Sequence, residues 1–174
     1  MKGRIMDSYT YTGNIKVSAD WDVIVVGGGP GGCAAAIAAA RQGAKTLLLE
    51  GTGAAGGMGT SGLVPAWCPF SDGEKIIYRG IAETVFNRSR EGLIHMPPER
   101  LNWVSIDPEK LKRVYDDMLI ESGVTIMFHT FVAGVEMASD GVIDAVIAGN
   151  KGGFTAYRGK MFIDGTGDGD IAAW

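Results

Sequence analysis

Cysteine is scarce and basic charge is nowhere concentrated. The two cysteines, Cys33 and Cys68, lie far apart, which excludes a disulfide framework and supplies no metal-ligand spacing. Lys and Arg total 16 against 20 Asp and Glu, a net charge of −4 with no basic stripe, which argues against a nucleic-acid partner. No apolar run approaches the length of a membrane span. Lys2 and Arg4 are followed by Asp7 and Ser8 instead of an apolar stretch, so no secretory leader is expected and a cytoplasmic location fits best. Hydrophobic residues at 46% and charged residues at 21% exclude a disordered chain, and 174 residues suffice for one domain with a core. Glycine, by contrast, is abundant: 27 residues, about twice the usual share. It clusters at 27–32, 51–62 and 165–169, a distribution that suits close approach of backbone to a ligand better than low complexity.

The first cluster organises the chain. Val23-Ile24-Val25-Val26 is a β-branched run that reads as a buried strand. Gly27, Gly29 and Gly32 follow at the spacing G-x-G-x-x-G, and an Ala-rich stretch from Cys33 to Ala40 reads as a helix closed by Gly43. A second apolar strand, Thr46 to Leu49, ends in Glu50. Strand, glycine turn, helix, strand and acid within about 30 residues make up the dinucleotide-binding unit. Gly27 permits the tight turn, Gly29 leaves room for a pyrophosphate, and Gly32 lets the helix lie close to the sheet. The first helical N–H groups and the helix dipole favour the phosphate charge. Glu50 suits a ribose 2′-OH and would repel a 2′-phosphate, which argues against NADP.

Glycines through 51–62 forbid a helix after that acid. A loop of bare N–H groups can cradle the second half of a long cofactor, which favours FAD over NAD. Residues 63–106 read as an irregular inserted segment broken by prolines, with one short helix at 80–91 that carries Ile81, Ala82, Val85 and Phe86 on one face. Within it, Cys68 is read as a buried inert thiol, His95 as structural or solvated, and Trp103 as packing. His129, farther on, is given the same structural or solvated reading as His95, and Cys33 is read as a small packing residue. Asp107, Pro108 and Gly123 bracket a helix whose buried stripe is Leu111, Val114, Tyr115, Met118 and Leu119. Lys110, Lys112, Arg113, Asp116 and Asp117 are read as its solvated face. Residues 124–128 form a third parallel strand, and Phe131–Met137, Val142–Ala148 and Phe154–Arg158 an antiparallel meander with turns at 139–141 and 150–153. Lys160–Asp164 returns as a strand and runs into Gly165-Thr166-Gly167-Asp168-Gly169-Asp170, a second backbone cradle. Asp168 and Asp170 without further oxygen ligands are weak support for a metal; a carboxylate bonded to cofactor hydroxyls fits better.

On Val-Val-Gly-Gly-Gly-Pro-Gly-Gly (25–32), Glu50, Gly-Gly-Met-Gly-Thr-Ser-Gly (56–62), Asp-Pro-Glu-Lys-Leu-Lys (107–112) and Ile-Asp-Gly-Thr-Gly-Asp-Gly-Asp (163–170), the chain resembles the FAD-dependent oxidoreductases of the glutathione-reductase-like flavin fold. Within them it resembles the bacterial family related to the flavin subunit of heterodisulfide reductase. The resemblance implies that Gly27, Gly29, Pro30, Gly31 and Gly32 bind the pyrophosphate and Glu50 the adenosine ribose. It further implies that Gly57, Met58 and Thr60 line the ribityl or ring region, that Val132 offers backbone groups to the adenine, and that Thr166, Gly167 and Asp168 form a later cofactor-contacting turn. Members of that family continue past the Asp-Gly-Asp turn into a substrate domain, so the chain is expected to be the N-terminal part of a longer flavoenzyme, with a redox partner or oligomer belonging to the complete protein. Some relatives carry iron–sulfur clusters, for which two scattered cysteines do not suffice.

The expected fold is therefore α/β, a truncated Rossmann-like FAD-binding domain over 21–174. Its parallel strands lie at 23–26, 46–49, 124–128 and 160–163, with helices and a three-stranded meander at 131–158. Residues 1–20 form an N-terminal extension in which Tyr9-Thr10-Tyr11 and Ile15-Lys16-Val17 are short extended pieces. Leu63, Val64, Trp67 and Phe70 are expected to lie open to water, and the chain alone to self-associate and to hold FAD weakly. The expected function is transfer of a hydride or electron pair from an organic small molecule to FAD, with no side chain singled out as catalytic. Two alternatives stand beside it: a biosynthetic protein similar to the thiazole-forming enzymes, with NAD as substrate, and a non-catalytic dinucleotide-binding module.

Overall fold

The computed structural model describes residues 12–94 and 96–174, so Tyr9-Thr10-Tyr11 and His95 lie outside the described residues. In chain order the elements are β1 (Lys16–Val26), α1 (Pro30–Arg41), β2 (Thr46–Leu49), α2 (Ile81–Arg90), α3 (Pro108–Glu121), β3 (Thr125–Met127), β4 (Phe131–Ser139), β5 (Val142–Asn150), β6 (Gly153–Asp164) and α4 (Asp170–Ala173). The strands form one six-stranded sheet in the order β3-β2-β1-β6-β5-β4. Pairing is parallel from β3 through β6 and antiparallel from β6 through β4.

Alternation along the central strands divides the core between two faces. Val25 and Leu48 face α1 and α3, where Cys33, Ala36, Ile37, Leu111, Tyr115, Met118 and Leu119 pack. Ile24, Val26, Leu47 and Leu49 face the other way, onto Val146, Ala148, Tyr157 and Ile171. The side chain of Asp107 caps α3 by accepting from the N–H groups of Glu109 and Lys110, both at 3.0 Å, and Pro108 follows as the first helical residue. Asp116 departs from the expected solvated face. Its Oδ1 is buried with no hydrogen-bond partner among the described residues, and burial, with the charge of Asp117 behind it, raises its pKa above the ordinary 3.8.

Two boundaries differ from the expectation. β1 starts at Lys16, inside the stretch read as an N-terminal extension, and pairs there with β6 from Lys16↔Thr155 onward. Exposed Lys16 and Asp20, with half-buried polar Ser18 between them, hide the strand from an apolar-pattern reading, and a bulge between Ser18 and Trp21, with Asp20 at φ 69°, shifts its register. Likewise the third meander strand and the strand at 160–163 are one continuous β6. Gly159, left between the two expected strands, pairs with Trp21 of parallel β1, and a Cβ there would meet Ile24 Cδ1 at 2.9 Å. Its polar neighbours reach outward, Arg158 to Asp144 and Lys160 to Asp22, each at 2.6 Å.

The 63–106 segment holds a small core of its own. Phe70 stacks on Phe86 of α2, with ring centroids 4.5 Å apart, and Val104 completes the cluster. Asn102 Oδ1 ties the loop by accepting from the N–H groups of Phe70 and Ser71 and the hydroxyl of Ser71. Phe70 is thus buried and Val64 and Trp67 half-buried, leaving only Leu63 of the four open to water. Two expectations reverse. Trp103 is 58% exposed at φ 54°, held away from the packing, and Cys68, between half-buried Trp67 and exposed Pro69, is an exposed thiol.

Candidate functional site

The carboxyl ends of β1, β2 and β6 converge on a groove, the position at which open α/β sheets take their ligands. Its larger section, about 700 Å3, is lined by the Gly27–Gly31 turn, Glu50, Thr52, Gly57, Met58 and Gly62 on one side and the Gly165–Asp168 turn on the other. A smaller section, about 210 Å3, continues past Gly27, Glu50, Thr52 and Thr166 to Thr130, Phe131 and Val132. Among the described residues no Lys, Arg or His lines either section. What these residues offer a bound anion is backbone N–H groups and the α1 dipole. The N-terminus of α1 is built for that: Gly29 provides no side-chain cap and the first turn carries no acid.

The glycines sort by what a Cβ would meet. At Gly32 it would lie 1.8 Å from the carbonyl oxygen of Gly27, and at Gly27, where φ is +91°, 2.4 Å from that of Gly165. These two allow chain segments to touch. At Gly29 the nearest atom would be 4.0 Å away and at Gly31 there is none within 4 Å, although both line the groove. Their missing side chains open the groove and are not needed for packing. Beneath them Cys33 is fully buried, its Sγ donating to the carbonyl of Gly28 at 3.0 Å. Burial pushes its thiol up to about 12, against a lowering by the Gly56 N–H and with help from the charges of Glu50 and Asp116, so this sulfur stays protonated and packs as expected.

Glu50 directly follows β2 with only 9% exposure. One carboxylate oxygen accepts from the N–H of Gly28 and the other from that of Thr52, both at 2.6 Å. The acid is thereby fixed at the junction of the two sections, each oxygen retaining a free lone pair. Thr130 N donates to the Glu50 carbonyl and His129 N to that of Thr52, both at 3.0 Å, which ties the loop after β3 to the loop after β2. His129 is exposed at φ 52°, its ring against Gly53.

The structure brings together Gly27, Gly29, Pro30, Gly31, Glu50, Gly57, Met58, Thr166, Gly167 and Asp168 in the larger section and Val132 in the smaller. Two residues named from the sequence lie elsewhere. Gly32 is buried behind the turn, and Thr60 is fully buried with its hydroxyl donating to the carbonyls of Ala55 and Gly57, so it folds the loop from behind. Thr52 and Thr130 line the groove without having been expected; a threonine two residues after the acid was the available signal for the first. Asp164 went unread because its work is done by local hydrogen bonds that no spacing announces. It accepts from four donors in the following turn, and although burial alone would raise its pKa, the bonds from Thr166, Ala172 and Ile171 hold it below 3.8.

In sequence the chain is similar to mitochondrial dihydrolipoyl dehydrogenase 2 of Arabidopsis thaliana, 58% identical over 40 residues that make up 23% of this chain and 8% of that protein. It is also similar to mitochondrial dihydrolipoyl dehydrogenase of Schizosaccharomyces pombe, 25% identical over 164 residues, 90% of this chain and 30% of that one. In fold it is similar to THI4 of Thermovibrio ammonificans, with a TM-score of 0.63 and 14% identity over 88% of this chain and 60% of that one. The chain thus spans less than two thirds of the length of each. Residues 22–174 match the model of the FAD dependent oxidoreductase family, and the chain belongs to that family.

Proposed function

We propose that the two-section groove holds one extended FAD and that the protein oxidises or reduces an organic small molecule. The observation that carries this reading is the junction itself: Gly27, Glu50, Thr52 and Thr166 border both sections, so a single long ligand can run through them without a break. The fit is supported by Gly29 and Gly31, whose missing Cβ atoms leave open the space a pyrophosphate would fill. In this reading the uncapped N-terminus of α1 faces the pyrophosphate and Glu50 accepts from the ribose hydroxyls. The backbone at Val132 lies by the adenine, and Gly57, Met58 and the Gly165–Asp168 turn flank the flavin half. Bound there, FAD supplies two-electron redox chemistry. The chain's own contribution is to bind, orient and shield it, and no groove side chain is assigned as an acid or base. Two free thiols, one exposed, accord with action in a reducing cytoplasm.

The test is the visible spectrum of the purified protein followed by release of its ligand on denaturation. A yellow protein releasing FAD, bleached by an organic donor, is the expected result. A colourless protein that releases an adenylated product would instead support the biosynthetic alternative, and tightly bound flavin that no donor reduces would support a binding module.

A further inference from the structure

We propose that Asp164, which contributes no surface to the groove, is the positioning residue for the far wall of its larger section; this rests on the reading of the groove as the FAD site. β6 ends at Asp164, and the carboxylate then gathers the chain that follows. One oxygen accepts from the N–H and hydroxyl of Thr166 at 3.1 and 2.7 Å, the other from the N–H groups of Ile171 and Ala172 at 3.0 and 3.2 Å. The Thr166 hydroxyl, having donated its proton to Asp164, accepts from the N–H groups of Gly169 and Asp170 at 3.1 and 2.9 Å. Two side chains therefore hold the backbone from 166 to 172, with buried Ile171 pinning α4 to the sheet.

This turn is also joined to the phosphate side of the groove. Gly165 N donates to the carbonyl of Val26 at 2.7 Å, and a Cβ on Gly165 would lie 3.0 Å from the Gly27 oxygen and 3.1 Å from Gly32 Cα. There is no slack between the two turns, so the conformation of residues 165–168 sets the width of the larger section. The smaller section takes only Thr166 and Asp170 from this side, its remaining wall coming from the ends of β1 and β2 and from Thr130 to Val132. Loss of the Asp164 carboxylate must then fall unequally on the two halves of a ligand that spans both.

The experiment titrates the full chain with FAD and, separately, with ADP, using wild type, Asp164→Ala and Asp164→Asn, and records a thermal melt of each protein without ligand. Charge-assisted bonds of this number imply a loss of about tenfold in FAD affinity for Asp164→Ala, against a smaller loss, about threefold, for ADP, whose diphosphate shares the larger section but which lacks the flavin half that the turn flanks. Asp164→Asn keeps one acceptor and should lose FAD affinity by about threefold, with a changed visible circular dichroism of the bound flavin. The asparagine variant decides the matter if the alanine variant does not fold. Equal losses for FAD and ADP, or unchanged FAD affinity in a variant with a lowered melting temperature, would overturn the proposal by reducing Asp164 to general stability. A wild-type protein that binds ADP but not FAD, or neither, overturns the FAD reading first and this inference with it.

Discussion

Single residues carry opposing demands at the phosphate turn, and substitution separates them. Gly29→Val places a side chain in open groove, so the apo protein should melt as wild type while FAD no longer raises its melting temperature. Gly32→Ala puts a methyl carbon 1.8 Å from the Gly27 oxygen and should leave little folded protein at all, visible as loss of the cooperative melt. The motif spacing already gave the two different roles, Gly29 for the pyrophosphate and Gly32 for helix–sheet packing; the structure adds what stands opposite each Cα, open groove at Gly29 and the Gly27 carbonyl at Gly32. Glu50→Ala should weaken FAD by about 10- to 100-fold in an equilibrium titration, the cost of a charged hydrogen bond. Asp116 runs the other way. Its buried, unpartnered Oδ1 and its raised pKa mean that folding is opposed by ionisation, so the penalty is present above the ordinary 3.8 and fades as pH falls through the folded value. Asp116→Ala should therefore raise the melting temperature near neutral pH by about 2–4 °C, with the gain shrinking in acid.

Elements with local signals were legible and those shaped by a neighbouring strand far off in sequence were not. α3 announced itself through Asp107, Pro108, the apolar stripe and Gly123, all of which act within one helix. Asp107→Ala should remove the cap and cost about 1 kcal/mol, measurable as a melting temperature about 2–4 °C lower. β6 was read as two pieces because Gly159 and the charges around it mimic a loop; only the passage of Ile24 beside Gly159 explains a glycine in mid-strand. Trp103 and Cys68 were misplaced for a related reason. The irregular segment is ordered by the Phe70–Phe86 stack and by Asn102, contacts across 16 to 32 residues that leave no period to read.

For the whole molecule, Asp22 ties three strands at the edge of the buried region. It accepts from Lys160 of β6 at 2.6 Å and from the N–H of Lys45, just before β2, at 2.8 Å, and the Lys160 bond leads in holding its carboxyl below 3.8. A folded-state pKa below the unfolded one gives stability that is complete above the unfolded value and lost as pH falls through the folded value. Melting temperature should thus decline on acidification below about pH 4, and Asp22→Asn should flatten that decline. Salt should mute the difference, since the pair is exposed.

The long pairing of β1 with β6 also has a meaning in time. Asp22 and Lys160 stand 138 residues apart, and β1 lies in the middle of the sheet. At ribosomal speeds of about 5–20 residues per second, the central strand waits on the order of ten seconds or more for its neighbour to be made. Throughout that interval Ile24, Val25 and Val26 have β2 on one side and an open strand edge on the other, so the nascent chain must be shielded before the groove can exist at all.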